Sequence, residues 1–274
     1  MGKIVMKLIG ILALGVSLKV WIDTNVFKVQ GVQFETEKLP RQESLRIVQI
    51  TDVHNKKSLR IHERVIGKVR ELAPDMIVLT GDLVDRKTRN FSAVFSFIDG
   101  LAQTDVPLFF VTGNHEWTNP KRAKLLTGLR KRGVTIFSNE SFEIKRNKSV
   151  INLVGIEDSA TKHEDLYEAF SGLKEEYYTI LLSHSPYVIK RYPFLPADLV
   201  VSGHTHGGQV RFPFIGAAIS PGGGIFPELD KGVFEWGENR QVYIDSGLGT
   251  SMAPIRFMNQ SQISLIYIKG TGPI

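Results

Sequence analysis

The chain has 274 residues, enough for one large domain or two small ones, and its 42% hydrophobic and 23% charged residues are those of an ordinary globular protein. A net charge of +6, spread without a dense basic block, suits a phosphate-bearing substrate or an anionic membrane surface; with no zinc finger, RNP motif or basic helix, it points away from nucleic acid. Cysteine is absent, which excludes disulfides and thiolate-held zinc, so any metal must be held by His, Asp, Glu, Asn and water.

At the N-terminus Lys3 and Lys7 precede the apolar run Leu8 to Leu18, which resumes after Lys19 as Val20-Trp21-Ile22. Residues 1–22 are therefore expected to form an uncleaved signal-anchor helix, with Lys19 snorkelling and Trp21 at the interface. The lysines favour a single-pass cell-membrane protein with its N-terminus inside and the rest extracytoplasmic. No small-x-small cleavage site follows the run, and no twin arginine is present. The segment is short for a span of about 20 residues, which leaves an interfacial helix and a buried core helix as alternatives. Residues 23–44 read as a polar connector, and residues 45–274 as one domain.

In that domain short β-branched runs end in polar clusters, with helical stretches between them. Residues 45–50 read as a strand ending at Thr51-Asp52, residues 61–72 as a helix stopped by Pro74, and residues 76–79 as a strand ending at Gly81-Asp82. An amphipathic helix over 91–101 precedes a strand over 108–111 that ends at Gly113-Asn114-His115, then a basic helix over 121–132. Residues 142–144 and 150–156 read as antiparallel strands. Residues 178–182 end at Ser183-His184, residues 198–201 end at Ser202-Gly203-His204, and the last strands cover 241–244 and 263–268. The alternation predicts an α/β fold of two packed sheets with outer helices.

Five of these strands end in residues of metal-binding type, at the carboxyl ends where α/β folds assemble their sites. The clusters are Asp52-Val-His54, Gly81-Asp82-Leu-Val-Asp85, Gly113-Asn114-His115-Glu116, the lone His184, and Gly203-His204-Thr-His206. In order and spacing they resemble the calcineurin-like metallophosphoesterase family, with its D-x-H, G-D-x-x-D, G-N-H-[DE], lone His and G-H-x-H motifs, over residues 45–268. The resemblance implies a four-layer α-β-β-α sandwich of two mixed sheets. It also implies two divalent ions and hydrolysis of a phosphate ester by a metal-bridging hydroxide.

Asp52, His54, Asp82, Asn114, His184, His204 and His206 offer seven O/N ligands, too many for one tetrahedral zinc and suited to two ions sharing a carboxylate. Strand alternation is expected to aim both side chains of Asp52-x-His54, and of His204-x-His206, the same way. By the resemblance, Asp52, His54 and His206 hold one ion, Asn114, His184 and His204 the other, and Asp82 bridges. Only two of the seven are carboxylates, so the site keeps a positive field for phosphate. Mn, Fe and Zn all suit the donors.

The resemblance makes His115 the non-ligand histidine facing the substrate, as general acid or stabiliser of the transition state. Asp85 either orients His115 or caps its own loop, and Glu116 reads as a structural cap. Arg256 either reaches a substrate phosphate or pairs with a surface acid. Glu157-Asp158 read equally as a loop near the pocket or a surface turn, and His62 and His163 as solvated.

The apolar, Gly/Pro-rich run from Val210 to Pro227 follows the last ligands and could fold back as a lid, accept an acyl chain or touch the bilayer. With the N-terminal segment, the arrangement resembles the membrane-associated YkuE/YaeI-like branch, some of whose members cleave the pyrophosphate of UDP-2,3-diacylglucosamine. A phosphodiesterase or pyrophosphatase acting on a phosphate ester, with a lipid-linked one such as UDP-2,3-diacylglucosamine as the example, is the expectation. A metal-binding scaffold on the same fold, a phosphomonoesterase and a protein phosphatase are the alternatives. A scaffold has no need of the non-ligand His115.

Overall fold

The computed structural model describes residues 2–56, 58–147, 149–251 and 253–273. The chain begins with α1 (Gly2–Asn25), β1 (Lys28–Pro40), β2 (Ser44–Ile50), α2 (Leu59–Leu72), β3 (Met76–Leu79), α3 (Ser92–Ala102) and β4 (Leu108–Phe110). It continues with α4 (Asn114–Trp117), α5 (Arg122–Arg130), β5 (Val134–Ile136), β6 (Glu140–Arg146), β7 (Ser149–Gly155), α6 (Leu166–Ala169), β8 (Tyr178–Leu182), α7 (Val188–Arg191) and β9 (Leu199–Ser202). Two miniature hairpins follow, β10 (Arg211–Phe212) with β11 (Gly216–Ala217) and β12 (Ile219–Ser220) with β13 (Gly224–Ile225). β14 (Gly232–Glu235), β15 (Gln241–Ile244) and β16 (Gln262–Gly272) complete it.

Two six-stranded mixed sheets result, in the orders β1-β16-β2-β3-β4-β5 and β14-β15-β9-β8-β7-β6. Their centres are parallel: β2 to β5 in the first sheet, β15, β9, β8 and β7 in the second. The antiparallel pairing of β6 with β7 is as the sequence suggests. Alternation along each strand sorts the core into three layers. Ile47 and Val78 meet Leu153, Ile180 and Val201 between the sheets; Val48, Ile50, Ile77 and Leu79 face α2, α3 and α5; Leu181 and Val200 face α7. This is the expected four-layer α-β-β-α sandwich.

α2 shows how local sequence sets an element. Ser58 caps its N-terminus, and Ala73 turns left-handed (φ 43°) just before Pro74, which cannot continue the ladder. Ile61, Val65 and Val69, spaced by four, bury one face. His62 joins that face: it is buried and stacked on Phe97, with ring centroids 4.4 Å apart, and burial lowers its pKa to about 4. It is a neutral core histidine, not the solvated one expected.

One segment near the N-terminus differs from its sequence reading. Residues 23–44, expected as a connector, contain the end of α1 and the whole of β1, which runs parallel to β16 at the edge of the first sheet. β1 is polar because an edge strand buries few of its side chains, here Phe34 and Leu39. α1 is long and apolar enough to cross a membrane, and its apolar span packs on nothing among the described residues, so the buried core-helix alternative is overturned.

Candidate metal centre

Loops from the ends of β2, β3, β4, β8 and β9 bring all seven expected ligands together. Strand alternation is not what aims them. β2 stops at Ile50 and β9 at Ser202, and Asp52, His54, Asp82, His204 and His206 all lie beyond strand ends with left-handed φ values of 52°, 49°, 52°, 71° and 52°. Such backbone is strained for non-glycine residues and persists where its surroundings over-determine it. Here Asp52 N donates to Gly81 O (3.1 Å), His54 N to Asp82 O (2.9 Å), and Gly249 N to Asp52 O (2.7 Å). The approach of the loops requires glycine at two positions. A Cβ on Gly113 would overlap the Asp82 carboxylate, and one on Gly203 would overlap Thr51 and Asp52.

The donor atoms form two clusters. His54 Nε2 stands 3.0 Å from His206 Nε2, which is 3.4 Å from Asp52 Oδ1. His184 Nε2 stands 3.2 Å from Asp82 Oδ2, 3.1 Å from His204 Nδ1 and 3.3 Å from Asn114 Oδ1. Asp82 Oδ2 is also 3.8 Å from His54 Nε2, so it lies between the two sets.

Hydrogen bonds outside the centre orient these atoms. Asp52 Oδ2 accepts from Thr51 Oγ1 (2.8 Å) and His204 N (3.1 Å), leaving Oδ1 buried with no partner. Asp82 Oδ1 accepts from His115 N (2.9 Å), leaving Oδ2 for the centre. His184 Nδ1 donates to Thr80 O (2.8 Å), which turns Nε2 toward the centre. Glu116 is the cap expected of it: its buried carboxylate accepts from the amides of Asp82 (2.8 Å), Gly113 (2.8 Å) and Val84 (3.2 Å), tying the β3 loop to the β4 loop.

Burial, and then the nearby Asp82, push the Asp52 carboxyl up to about 7. Burial also opposes ionisation of Asp82, but His184, with His54 and His115, holds it well below the usual range. Burial lowers His54 to about 4, His204 to about 3 and His206 well below its ordinary value, so these imidazoles are neutral. His184 is raised well above its ordinary value by Asp82 against burial. Neutral imidazoles, two carboxylates and an unpartnered buried oxygen are a donor set that divalent cations fit. Metal–nitrogen bonds of about 2.0–2.1 Å put two ligating nitrogens roughly 3 Å apart, the spacing of the His54–His206 and His184–His204 pairs.

His115 lies beside the centre, its Nε2 4.0 Å from Asp82 Oδ2. Its Nδ1 accepts from Arg86 N (3.1 Å), which leaves the proton of a neutral ring on Nε2. Asp85 caps its own loop, Oδ1 accepting from Lys87 N (2.9 Å), while its Oδ2 stands 3.4 Å from His115 Nδ1 without a proton between them in the neutral ring. The sequence reading missed Arg86, whose Nη2 is 3.3 Å from His115 Nε2 on an otherwise exposed side chain. Its place directly after Asp85 was the available signal.

Arg256 corrects both of its sequence alternatives. It is fully buried, reaching neither a surface acid nor open solvent, and donates to Ser246 O (2.6 Å), to Gly249 O from Nη2 (2.6 Å) and Nε (2.9 Å), and to His206 O (3.5 Å). Asn259, also missed, donates to the same His206 carbonyl (2.6 Å) and shares the bracing of the last ligand loop. Glu157 pairs with Arg122 (3.0 Å) and Asp158 accepts from Thr161 N (2.8 Å), so both are structural. His163, though exposed, stacks on Trp117.

Residues 45–208 match the family model described as calcineurin-like phosphoesterase. An uncharacterized metallophosphoesterase of Aquifex aeolicus is 33% identical over 92% of this chain and 95% of its own. The uncharacterized metallophosphoesterase YkuE of Bacillus subtilis is 28% identical over 84% and 80%. The UDP-2,3-diacylglucosamine pyrophosphatase LpxG of Chlamydia trachomatis is 29% identical over 93% and 94%. A family match over more than half the chain, with a relative aligned almost end to end, leaves one conclusion: this chain belongs to the calcineurin-like phosphoesterase family, as a metal-dependent phosphohydrolase.

Proposed function

We propose that the protein hydrolyses a phosphodiester or pyrophosphate bond at a dinuclear centre, on a lipid-linked substrate such as UDP-2,3-diacylglucosamine, while anchored by α1. The observation that carries the dinuclear reading is the position of Asp82 Oδ2, 3.2 Å from His184 Nε2 in one cluster and 3.8 Å from His54 Nε2 in the other. Asp52, His54 and His206 would hold one ion; Asn114, His184 and His204 the other; Asp82 would serve both. Bound there, Mn, Fe or Zn ions would lower the pKa of water and neutralise charge on phosphoryl oxygens.

The chain's own groups supply the rest. The neutral His115 points its Nε2–H at the leaving oxygen and stabilises the transition state by hydrogen bonding, while the Arg86 amide, donating to Nδ1, holds the ring. Arg86, at the rim beside His115, binds a non-bridging oxygen or the second phosphate of a pyrophosphate. The lipid-linked substrate rests on the LpxG relatives and on α1.

The test is purification with metal analysis, followed by a screen of mono-, di- and pyrophosphate esters. About two equivalents of a divalent metal, with turnover of diesters or pyrophosphates, is the expected result. Turnover confined to monoesters would overturn the bond assignment, and one tightly held ion the dinuclear one.

A further inference from the structure

The stretch after the last ligands contains two small hairpins rather than a lid, and they carry large apolar side chains outward. Phe212, Phe214, Ile215, Ile219, Ile225 and Phe226 are all exposed, Phe214 completely. Met258, also exposed, shares a shallow cleft of about 500 Å³ with Phe212, Phe214 and Ile215. From Gly207 to Pro227 the only charged residue is Arg211, which is turned to Asp230 (2.6 Å). Exposed aromatic and aliphatic side chains gathered without charge mark a surface that leaves water for something apolar.

What covers it is indicated by where it is fastened. Val210 bridges to Phe257, and the Gln209 side chain donates to Ala253 O (2.7 Å) and Ile255 O (3.0 Å), so the hairpins are rooted in the 253–258 strip. The last turn of α1 is fastened to the same strip and to the residues just after it. Arg256 N donates to Thr24 Oγ1 (2.9 Å), Asn259 N to Asp23 Oδ2 (3.3 Å) and Ser261 N to Asp23 O (2.8 Å). The apolar helix and the hairpins thus leave the domain from neighbouring points. The metal centre adjoins them: a Cβ on Gly222 would stand 3.2 Å from His204 Nε2, and Arg211 Nη1 donates to Gly207 O (3.0 Å).

We propose that the two hairpins, with Met258, form a second membrane-contact surface that dips into the bilayer holding α1 and seats the metal centre against the lipid headgroups. The helix supplies retention, and the hairpins fix how the domain lies on the membrane. A lipid-linked phosphate ester then reaches the centre sideways from the leaflet, its acyl chains still in the membrane. This rests on the reading of α1 as an anchor and deepens the reading of the substrate as lipid-linked.

The absence of cysteine allows a clean test on the full chain. Phe214→Cys would be labelled with an environment-sensitive fluorophore and the protein reconstituted into phosphatidylcholine–phosphatidylglycerol vesicles. Tyr167→Cys, exposed on α6 beside the β6 edge, serves as the reference site. The label at 214 should shift to the blue on reconstitution and be quenched by nitroxide carried on acyl chains, while the label at 167 stays in water. Both labels in water, on protein that floats with the vesicles, would overturn the hairpin contact and leave the anchor standing. Protein that does not float would overturn both. A label at 214 that is buried but unquenched by lipid nitroxide, on protein that crosslinks as a dimer, would assign the surface to a second copy and likewise overturn the proposal.

Discussion

At the scale of single residues, the centre divides each carboxylate into a structural and a functional oxygen. Asp82 gives Oδ1 to the His115 amide and keeps Oδ2 between the two donor clusters. Asp82→Asn replaces part of that bridging charge with an amide and should empty both sites, with loss of bis-p-nitrophenyl phosphate hydrolysis. Metal analysis beside the assay checks it, and a fully active variant would refute the bridging role. His115→Ala should behave differently, keeping the metal while losing about 10²–10³ in kcat, the usual contribution of a positioned donor to developing negative charge; parallel loss of metal would make His115 a ligand. Glu116 acts on the same centre only by holding backbone. Glu116→Ala leaves three buried amides without acceptors, each worth about 1–3 kcal/mol. A domain of this size loses about 2–4 °C per kcal/mol, so a fall in Tm of roughly 5 °C or more is expected by calorimetry.

At the scale of elements, the ends of β2 and β9, which lie in different sheets, touch directly. Gln49 on β2 donates to Ser202 O (2.8 Å) and to Thr80 Oγ1 (2.8 Å), joining the sheets beneath the ligands. Above it Gly203 presses on Thr51 and Asp52. Gly203→Ala should push these strand ends apart, lowering metal content more than Tm; a variant with unchanged metal affinity would show that the contact has slack. These elements were legible in the sequence: mostly apolar runs of four or five residues gave β3, β8 and β15 with correct limits, because strands buried on both faces are nearly continuously apolar. The candidate ligands were legible too, since each follows such a run. The means of aiming them was not, because left-handed backbone at Asp52, His54, His204 and His206 is imposed by packing across two sheets and leaves no local trace. β1 was missed for a related reason: its polar, edge-strand pattern resembles a linker until β16, more than 200 residues away, is seen to pair with it.

At the scale of the whole molecule, the two ends of α1 differ in what they touch. Its apolar length is exposed, while Asp23 is buried and, with Thr24, grips the segment that carries Arg256 and Asn259, which in turn hold the His206 carbonyl. If α1 is the anchor proposed above, anchoring belongs to residues 2–18, and bracing of the last candidate-ligand loop to the final turns from Lys19 onward, where Lys19 also pairs with Asp23. Removing residues 2–18 should release the protein from membranes, since the hairpins alone give only reversible contact. Hydrolysis of a soluble diester should continue, because the brace remains. Asp23→Ala in the full chain should do the reverse: the protein stays in the membrane fraction, but the amide of Asn259 loses its acceptor and His206 is held less firmly. Weaker metal retention under chelator is then expected, at a cost in stability of about 1–3 kcal/mol for the unsatisfied buried group. Fractionation and timed chelation of the two variants side by side separate the tasks. Should the truncation lose metal as readily as Asp23→Ala does, the membrane-spanning length would itself be part of the brace, and the division at Lys19 would be wrong.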